Sequence, residues 1–75
     1  DKVILSENFF KNSPEVIFRG LSDILLLVSK RYYPVRGKKL DKIINEIKRK
    51  AYLKATLGGC IIQKVKQTVI IYREF

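Results

Sequence analysis

The stretch SPEVIFRGLSDILLLVSK, Ser13 to Lys30, combines the clearest helix start in the chain with its densest apolar surface. Ser13 can cap the helix, and Pro14 suits the first helical position because its missing N–H would have no partner there. Glu15 places a carboxylate against the positive end of the helix dipole. The apolar positions recur at helical spacing and then widen: Ile17, Phe18, Leu21, Ile24, Leu25, Leu26, Leu27 and Val28. We predict a buried central helix that is covered on more than one side.

This helix does not have the character of a membrane span. About 17 residues at ~1.5 Å each would extend ~26 Å, which is close to the thickness of the apolar part of a bilayer. Arg19, Asp23 and Lys30 interrupt the apolar run, however. The sequence therefore predicts a core helix and no membrane partner.

A second helix is predicted from about Lys38 to Ala51. Its apolar positions follow an i, i+3, i+4, i+7, i+11 pattern: Leu40, Ile43, Ile44, Ile47 and Ala51. Steps of 100° per residue place four residues in a narrow line on the opposite side, here called the basic stripe: Lys38, Lys42, Asn45 and Arg49. Asp41 and Glu46 fall on its flanks, where Glu46 can pair with Lys50. The basic stripe is therefore expected to be uncompensated.

The rest of the chain predicts strands. From Thr56 onward β-branched residues dominate, and the runs Leu57–Gln63 and Thr68–Arg73, joined by Lys64–Gln67, predict an antiparallel hairpin. A lone hairpin is barely stable in water, so it needs cover from the helices or a third strand, for which Val3–Leu5 is the candidate. The predicted fold class is α+β, with two main helices packed against a small antiparallel sheet.

Several short features predict packing rather than chemistry. Gly20 costs about 1 kcal/mol relative to alanine inside a helix, so we expect another element to cross close to it. The Phe9-Phe10 pair is expected in a turn of helix. Gly58-Gly59 precedes a strand and lacks the lysine of a phosphate loop, which favours a bulge or a tight entry into the hairpin. Cys60 is expected to be a small buried apolar residue.

The length and composition indicate one small domain, residues 1 to 75, whose single core is marginal. The chain begins at Asp1, contains no Met and ends at Phe75 in a strand-like run, so we expect a segment excised from a larger protein. A single cysteine without a partner in the chain, and the lack of a signal-peptide pattern, favour the cytoplasm.

The net charge of +9, from 16 Lys and Arg against 7 Asp and Glu, suggests a polyanionic partner. Abundant Lys and Ile also fit an AT-rich genome without any selection for binding, so the positions of the charges matter more. More than half of the cations lie between Lys30 and Lys54, against only two acids. A solvated helix face is the alternative reading. A line of cations without acids favours an anionic surface, and RNA rather than a membrane, because the other side of the helix is needed for the core.

The residue types exclude several chemistries. With no His and a single Cys, the chain cannot form a zinc finger, a Cys-His nucleophile pair or a histidine general base. The carboxylates stand singly, and no catalytic, cofactor or metal site is predicted. Tyr33 is expected to pack at the end of the first helix. Packing and stacking on an unpaired base are both open for Tyr32.

Three short motifs occur in an order that marks a known family. Tyr33-Pro34-Val35-Arg36 precedes the basic helix, Thr56–Ile62 reads TLGGCII, and Arg73-Glu74 follows. In this order the chain, from Pro14 onward, resembles the domain that follows the catalytic domain of the tRNA(Ile)-lysidine synthases. Many relatives have Pro-Pro-Arg where this chain has Pro-Val-Arg, a change that keeps the turn and the arginine.

The resemblance implies a parent ligase that uses ATP and Mg²⁺ to activate the wobble cytidine of a CAU-anticodon isoleucine tRNA and attaches lysine to it. The adenylating loop, Ser-Gly-Gly-x-Asp-Ser, is not in this chain, which is expected to hold and orient the tRNA beside the enzyme's own catalytic domain. The candidate tRNA-binding residues are Arg36, Lys38, Lys39, Lys42 and Arg49. Arg73 is not counted among them, because in a hairpin it could equally pair with Glu74 or with an acid of a neighbouring domain. The alternatives are a packing or homodimerisation domain with incidental charge, and a stand-alone nucleic-acid-binding protein.

Overall fold

The computed structural model describes residues 2–30 and 37–74. The elements in chain order are strand β1 (Lys2–Leu5), a 3₁₀ helix (Glu7–Lys11), helix α1 (Pro14–Ser29), helix α2 (Gly37–Arg49), and strands β2 (Tyr52–Leu57), β3 (Cys60–Val65) and β4 (Thr68–Arg73). The strands form one antiparallel sheet in the order β1-β4-β3-β2, and the buried faces of both helices pack against it. The α+β prediction is confirmed.

Helix α1 has the predicted start. The Ser13 hydroxyl accepts a hydrogen bond from the Val16 N–H at 3.4 Å, and Pro14 occupies the first turn. The sheet and α2 both contact α1, and the residues it buries are Ile17, Leu21, Leu25 and Val28. The buried side of α1 is narrower than its apolar sequence predicts, because Leu27 faces outward and is 75% exposed. Lys30 ends the helix with a positive φ of 59°.

Helix α2 buries the predicted apolar face but ends earlier than expected. Leu40, Ile44 and Ile47 are buried, as the spacing predicts. The helix ends at Arg49 rather than Ala51, and the Ala51 carbonyl accepts a hydrogen bond from the Lys66 N–H at 2.7 Å. A contact with the β3–β4 turn thus takes the place of a further helical turn.

Strand β2 is the main correction to the predicted fold. Residues 52–57 form a separate strand that pairs with β3 along its whole length. Gly58 and Gly59 are therefore neither a bulge nor an entry. They are the two-residue turn of the β2–β3 hairpin, and their φ values of 61° and 82° suit glycine and the primed turns that match the strand twist.

The other strand predictions hold, with one change of length. β1 pairs with β4, as predicted for Val3–Leu5, with Val3 opposite Ile71. The connection between β3 and β4 is shorter than the predicted Lys64–Gln67, because Val65 pairs with Thr68 and leaves only residues 66 and 67 in the turn.

The register divides the sheet into an inner and an outer face. Side chains of the inner face, such as Ile62, Ile71 and Val69, are buried under the helices, and the Cys60 thiol donates to the Leu25 carbonyl at 3.6 Å. Cys60 is thus the buried residue that was predicted. The outer face carries the alternate residues, which are Lys2, Ile4, Tyr52, Lys54, Thr56, Ile61, Gln63, Val65, Thr68, Ile70 and Tyr72. None of the described helices covers this face.

Gly20 lies against the 3₁₀ helix. A Cβ atom at Gly20 would be 3.0 Å from the Cε1 and Cζ atoms of Phe9. The Phe9 ring is itself held edge-on against Phe10, with ring centroids 5.0 Å apart. The expected helical turn and the expected close crossing at Gly20 are both present.

Replacing Gly20 by valine is expected to destabilise the fold by about 1–3 kcal/mol, because a side chain branched at Cβ cannot rotate away from the Phe9 ring. Gly37→Val is the matched control. Its Cβ would make an ordinary 3.6 Å contact with Phe18, so the change should alter the stability by less than about 1 kcal/mol. Urea midpoints of the two variants measure the difference. Equal midpoints would mean that the Phe9 ring moves aside at no cost.

Candidate nucleic-acid interface

The basic stripe lies on the solvent side of α2. The spacing i, i+4, i+7, i+11 keeps its four residues on one side of the helix, and all of them are exposed. Lys39 is exposed beside Lys42, one turn earlier on the helix. The prediction that α2 buries apolar residues on one side and exposes cations on the other is confirmed as geometry.

The cations of the basic stripe have no neutralising partners among the described residues. The described ion pairs join Lys50 to Glu46 at 3.9 Å and Lys11 to Glu7 at 4.0 Å. The first of these is the predicted i, i+4 pair, so the carboxylate of Glu46 is directed to Lys50 and not to a cation of the basic stripe. Asp41 is exposed on the flank. Like charges repeated along one helix side repel one another, so this surface gains by binding an anion.

The structure brings most of the candidate residues together. Lys38, Lys39, Lys42 and Arg49 lie on one exposed surface of α2. Arg36, Tyr32 and Tyr33 lie outside the described residues. Arg73 is exposed at the end of β4, on a different element, and pairs with Cys60 in the sheet register. It does not extend the basic stripe.

Lys64 has a structural task rather than a binding one. Its position in β3 is on the inner face, and its ammonium group donates to the Ile47 carbonyl in the last turn of α2. A cation there satisfies a terminal carbonyl and complements the negative end of the helix dipole.

The same end of α2 borders a pocket of about 200 Å³, lined by Glu7, Phe10, Ile47, Lys48, Lys64, Gln67 and Val69. This is smaller than the clefts that usually hold organic ligands.

Sequence reasoning missed the polar residues of the β2 edge. Tyr52, Lys54 and Thr56 project from the outer face, because they alternate with the inward residues of β2. A period of two over Tyr52–Leu57 was the available signal. It was hidden because Ala51 fits the helical spacing of α2 and Lys and Leu are also good helix formers.

Two further properties concern the described residues as a whole. No group of three or more Cys, Asp or Glu side chains within residues 2–30 and 37–74 could hold a metal ion. Neither α1 nor α2 has the length and apolar character to cross a membrane.

Comparison with known proteins gives one consistent set of relatives. The chain is 37% identical over 73 residues to the tRNA(Ile)-lysidine synthase of Orientia tsutsugamushi, covering 97% of this chain and 17% of that protein. It is 31% identical to that of Rickettsia felis and 30% identical to that of Rickettsia akari, each over 67 residues, covering 89% of this chain and 16% of the relative. The chain thus spans about one sixth of the length of these relatives. No family model matches it, and no solved structure matches it.

Proposed function

We propose that this chain, which is similar to a segment of the tRNA(Ile)-lysidine synthases, is a tRNA-binding domain of such an enzyme. In this proposal the parent protein is an ATP-dependent ligase that attaches lysine to the wobble cytidine of a CAU-anticodon isoleucine tRNA. ATP and Mg²⁺ act at a separate adenylating domain, and the residues of this chain carry no catalytic step.

The observation that carries the proposal is the division of α2 into two sides. One side holds the core through Leu40, Ile44 and Ile47, and the other exposes the basic stripe, whose cations pair with no carboxylate within residues 2–30 and 37–74. Folding and RNA binding can therefore use the same helix without competing for the same side chains. Lys38, Lys42 and Arg49 contact phosphates in this proposal, with Arg36 before the helix and Lys39 assisting.

The contribution of such a domain to catalysis is positional. Holding the tRNA body relative to a distant adenylating site places the wobble base near the reactive groups, and it removes part of the entropic cost of bringing them together. Phosphate contacts suit this task because they fix register and orientation without requiring a particular base sequence.

The salt dependence of RNA binding tests this proposal. If Arg36, Lys38, Lys42 and Arg49 each neutralise a phosphate, the affinity of the chain for unmodified isoleucine tRNA should fall by roughly two orders of magnitude between ~50 and ~200 mM salt. Fluorescence anisotropy with labelled tRNA gives the slope. A slope near that of one contact, or no binding at low salt, would contradict a phosphate-binding surface on α2.

A further inference from the structure

We propose that an exposed tyrosine at the edge of the sheet, with the lysines around it, is a stacking site for an unpaired RNA base. This site, here called the Tyr52 corner, consists of Lys50, Tyr52, Lys54 and Lys66. The inference rests on the proposed function, because it takes RNA to be the polyanion that contacts α2.

Tyr52 offers an aromatic surface to solvent. It is the first residue of the edge strand β2, it lies on the outer face, and it is 62% exposed. Val65 lies opposite it on β3 and is 42% exposed, so the apolar surface continues beside the ring. The other tyrosine of this face, Tyr72, is less exposed, and its hydroxyl donates to the Gln63 side-chain oxygen at 3.4 Å. Tyr52 is thus the more accessible ring for a base to cover.

Three lysines belong to segments that adjoin Tyr52. Lys54 is two residues further along the same face of β2. Lys66 belongs to the β3–β4 turn, and its N–H bonds the Ala51 carbonyl at 2.7 Å, which holds the turn beside the start of β2. Lys50 precedes the strand, and its pair with Glu46 is long at 3.9 Å and partly open to solvent, and therefore weak. None of the four strands contains Asp or Glu.

The Tyr52 corner lies around the β2 edge from the basic stripe, because the stripe faces away from the sheet and Tyr52 faces away from the helices. The last turn of the helix carries Lys48 and Arg49, and Lys50 leads directly to β2. An RNA whose paired region lies along the basic stripe could pass an unpaired nucleotide around the β2 edge. The ring would then contact the base while the ammonium groups contact phosphates, as in other single-strand sites.

The charges favour RNA over a protein at this corner. An apolar protein surface would bury the lysines without partners, which is costly. A second copy of the chain would bring two clusters of positive charge together. A single-stranded RNA satisfies both the ring and the cations.

The test compares three RNA probes: a short single-stranded oligoadenylate, the same strand with abasic sites, and an RNA duplex. Tyr52→Val should lower the affinity for the oligoadenylate about tenfold, the loss expected for one stacked base, and should change the duplex affinity less than about twofold. Tyr52→Phe, which keeps the ring, should bind within about twofold of the natural chain. The abasic strand should bind more weakly than the oligoadenylate and should not distinguish Tyr52 from valine.

The outcomes separate this inference from the proposed function. If Tyr52→Val leaves oligoadenylate binding unchanged while substitutions in the basic stripe weaken RNA binding, the stacking site is wrong and the tRNA-binding role stands. If the natural chain binds no RNA at low salt, both are wrong. Self-association of the chain that Tyr52→Val abolishes, together with unchanged oligoadenylate binding, would identify the corner as a protein interface.

Discussion

Replacing the three cations of the basic stripe by glutamate, in Lys38→Glu, Lys42→Glu and Arg49→Glu together, is expected to lower tRNA affinity by about 10²- to 10³-fold at ~0.1 M salt. Each phosphate contact contributes about 0.9 to the slope of log affinity against log salt, so each is worth about eightfold at this salt relative to 1 M. The slope itself should fall by about three. Anisotropy titrations over a range of salt concentrations measure both quantities.

A control variant with the same net charge distinguishes the effect of the basic stripe from the effect of the total charge of the chain. Each reversal changes the charge by two, so three reversals lower the net charge from +9 to +3 wherever they are made. Lys2→Glu, Lys11→Glu and Arg19→Glu together provide that control on exposed positions away from α2. It should weaken binding far less. Equal losses for both triple variants would show that affinity follows total charge and that the stripe is not a site. Far-ultraviolet circular dichroism checks that both remain folded.

The helices could be predicted because their signals are local. The Ser13-Pro14 start specifies where α1 begins, and the spacing of Leu40, Ile44 and Ile47 specifies which side of α2 is buried. These patterns depend on the helical period and on the capping hydrogen bond, neither of which requires knowledge of the partner surface. The basic stripe followed from the same period, so its geometry could also be predicted.

The extent of each helix and the number of strands depend on contacts that are distant in sequence. Ala51 matches the apolar spacing of α2, yet its carbonyl bonds Lys66, fifteen residues away along the chain. Gly58-Gly59 is compatible with either a bulge or a turn, and only the pairing of Leu57 with Cys60 distinguishes them. In the segment after Arg49, hydrogen bonds to β3 and to the β3–β4 turn outweigh the helix propensity of the sequence.

The Tyr52 corner could not be found from the sequence for the same reason. Its members come from the α2–β2 connection, β2 and the β3–β4 turn, and they meet only once β2 pairs with β3. Because β2 was not predicted as a strand, Tyr52 and Lys54 could not be assigned to the outer face of the sheet. A site on one helix can be predicted from its period, whereas a site shared between strands requires the register.

The same substitution at two neighbouring isoleucines, Ile70 and Ile71, tests the register of β4 in the sheet. Ile71→Thr is expected to destabilise the fold by about 2–4 kcal/mol, since it removes a buried methyl group and places a hydroxyl within the hydrophobic core. Ile71 is 0% exposed, between Val3 on β1 and Ile62 on β3. For a domain of this length, whose total stability is about 4–11 kcal/mol, the loss is a large fraction.

Ile70→Thr makes the same chemical change on the outer face, where the side chain is only partly buried and the hydroxyl can reach water. Both variants keep a β-branched residue, so strand propensity is matched and burial is the difference. Ile70→Thr should therefore cost less than about 1 kcal/mol, which urea denaturation followed by circular dichroism can resolve. A larger loss at Ile70 than at Ile71 would require β4 to be shifted by one residue. Such a shift would turn every outward side chain of that strand inward.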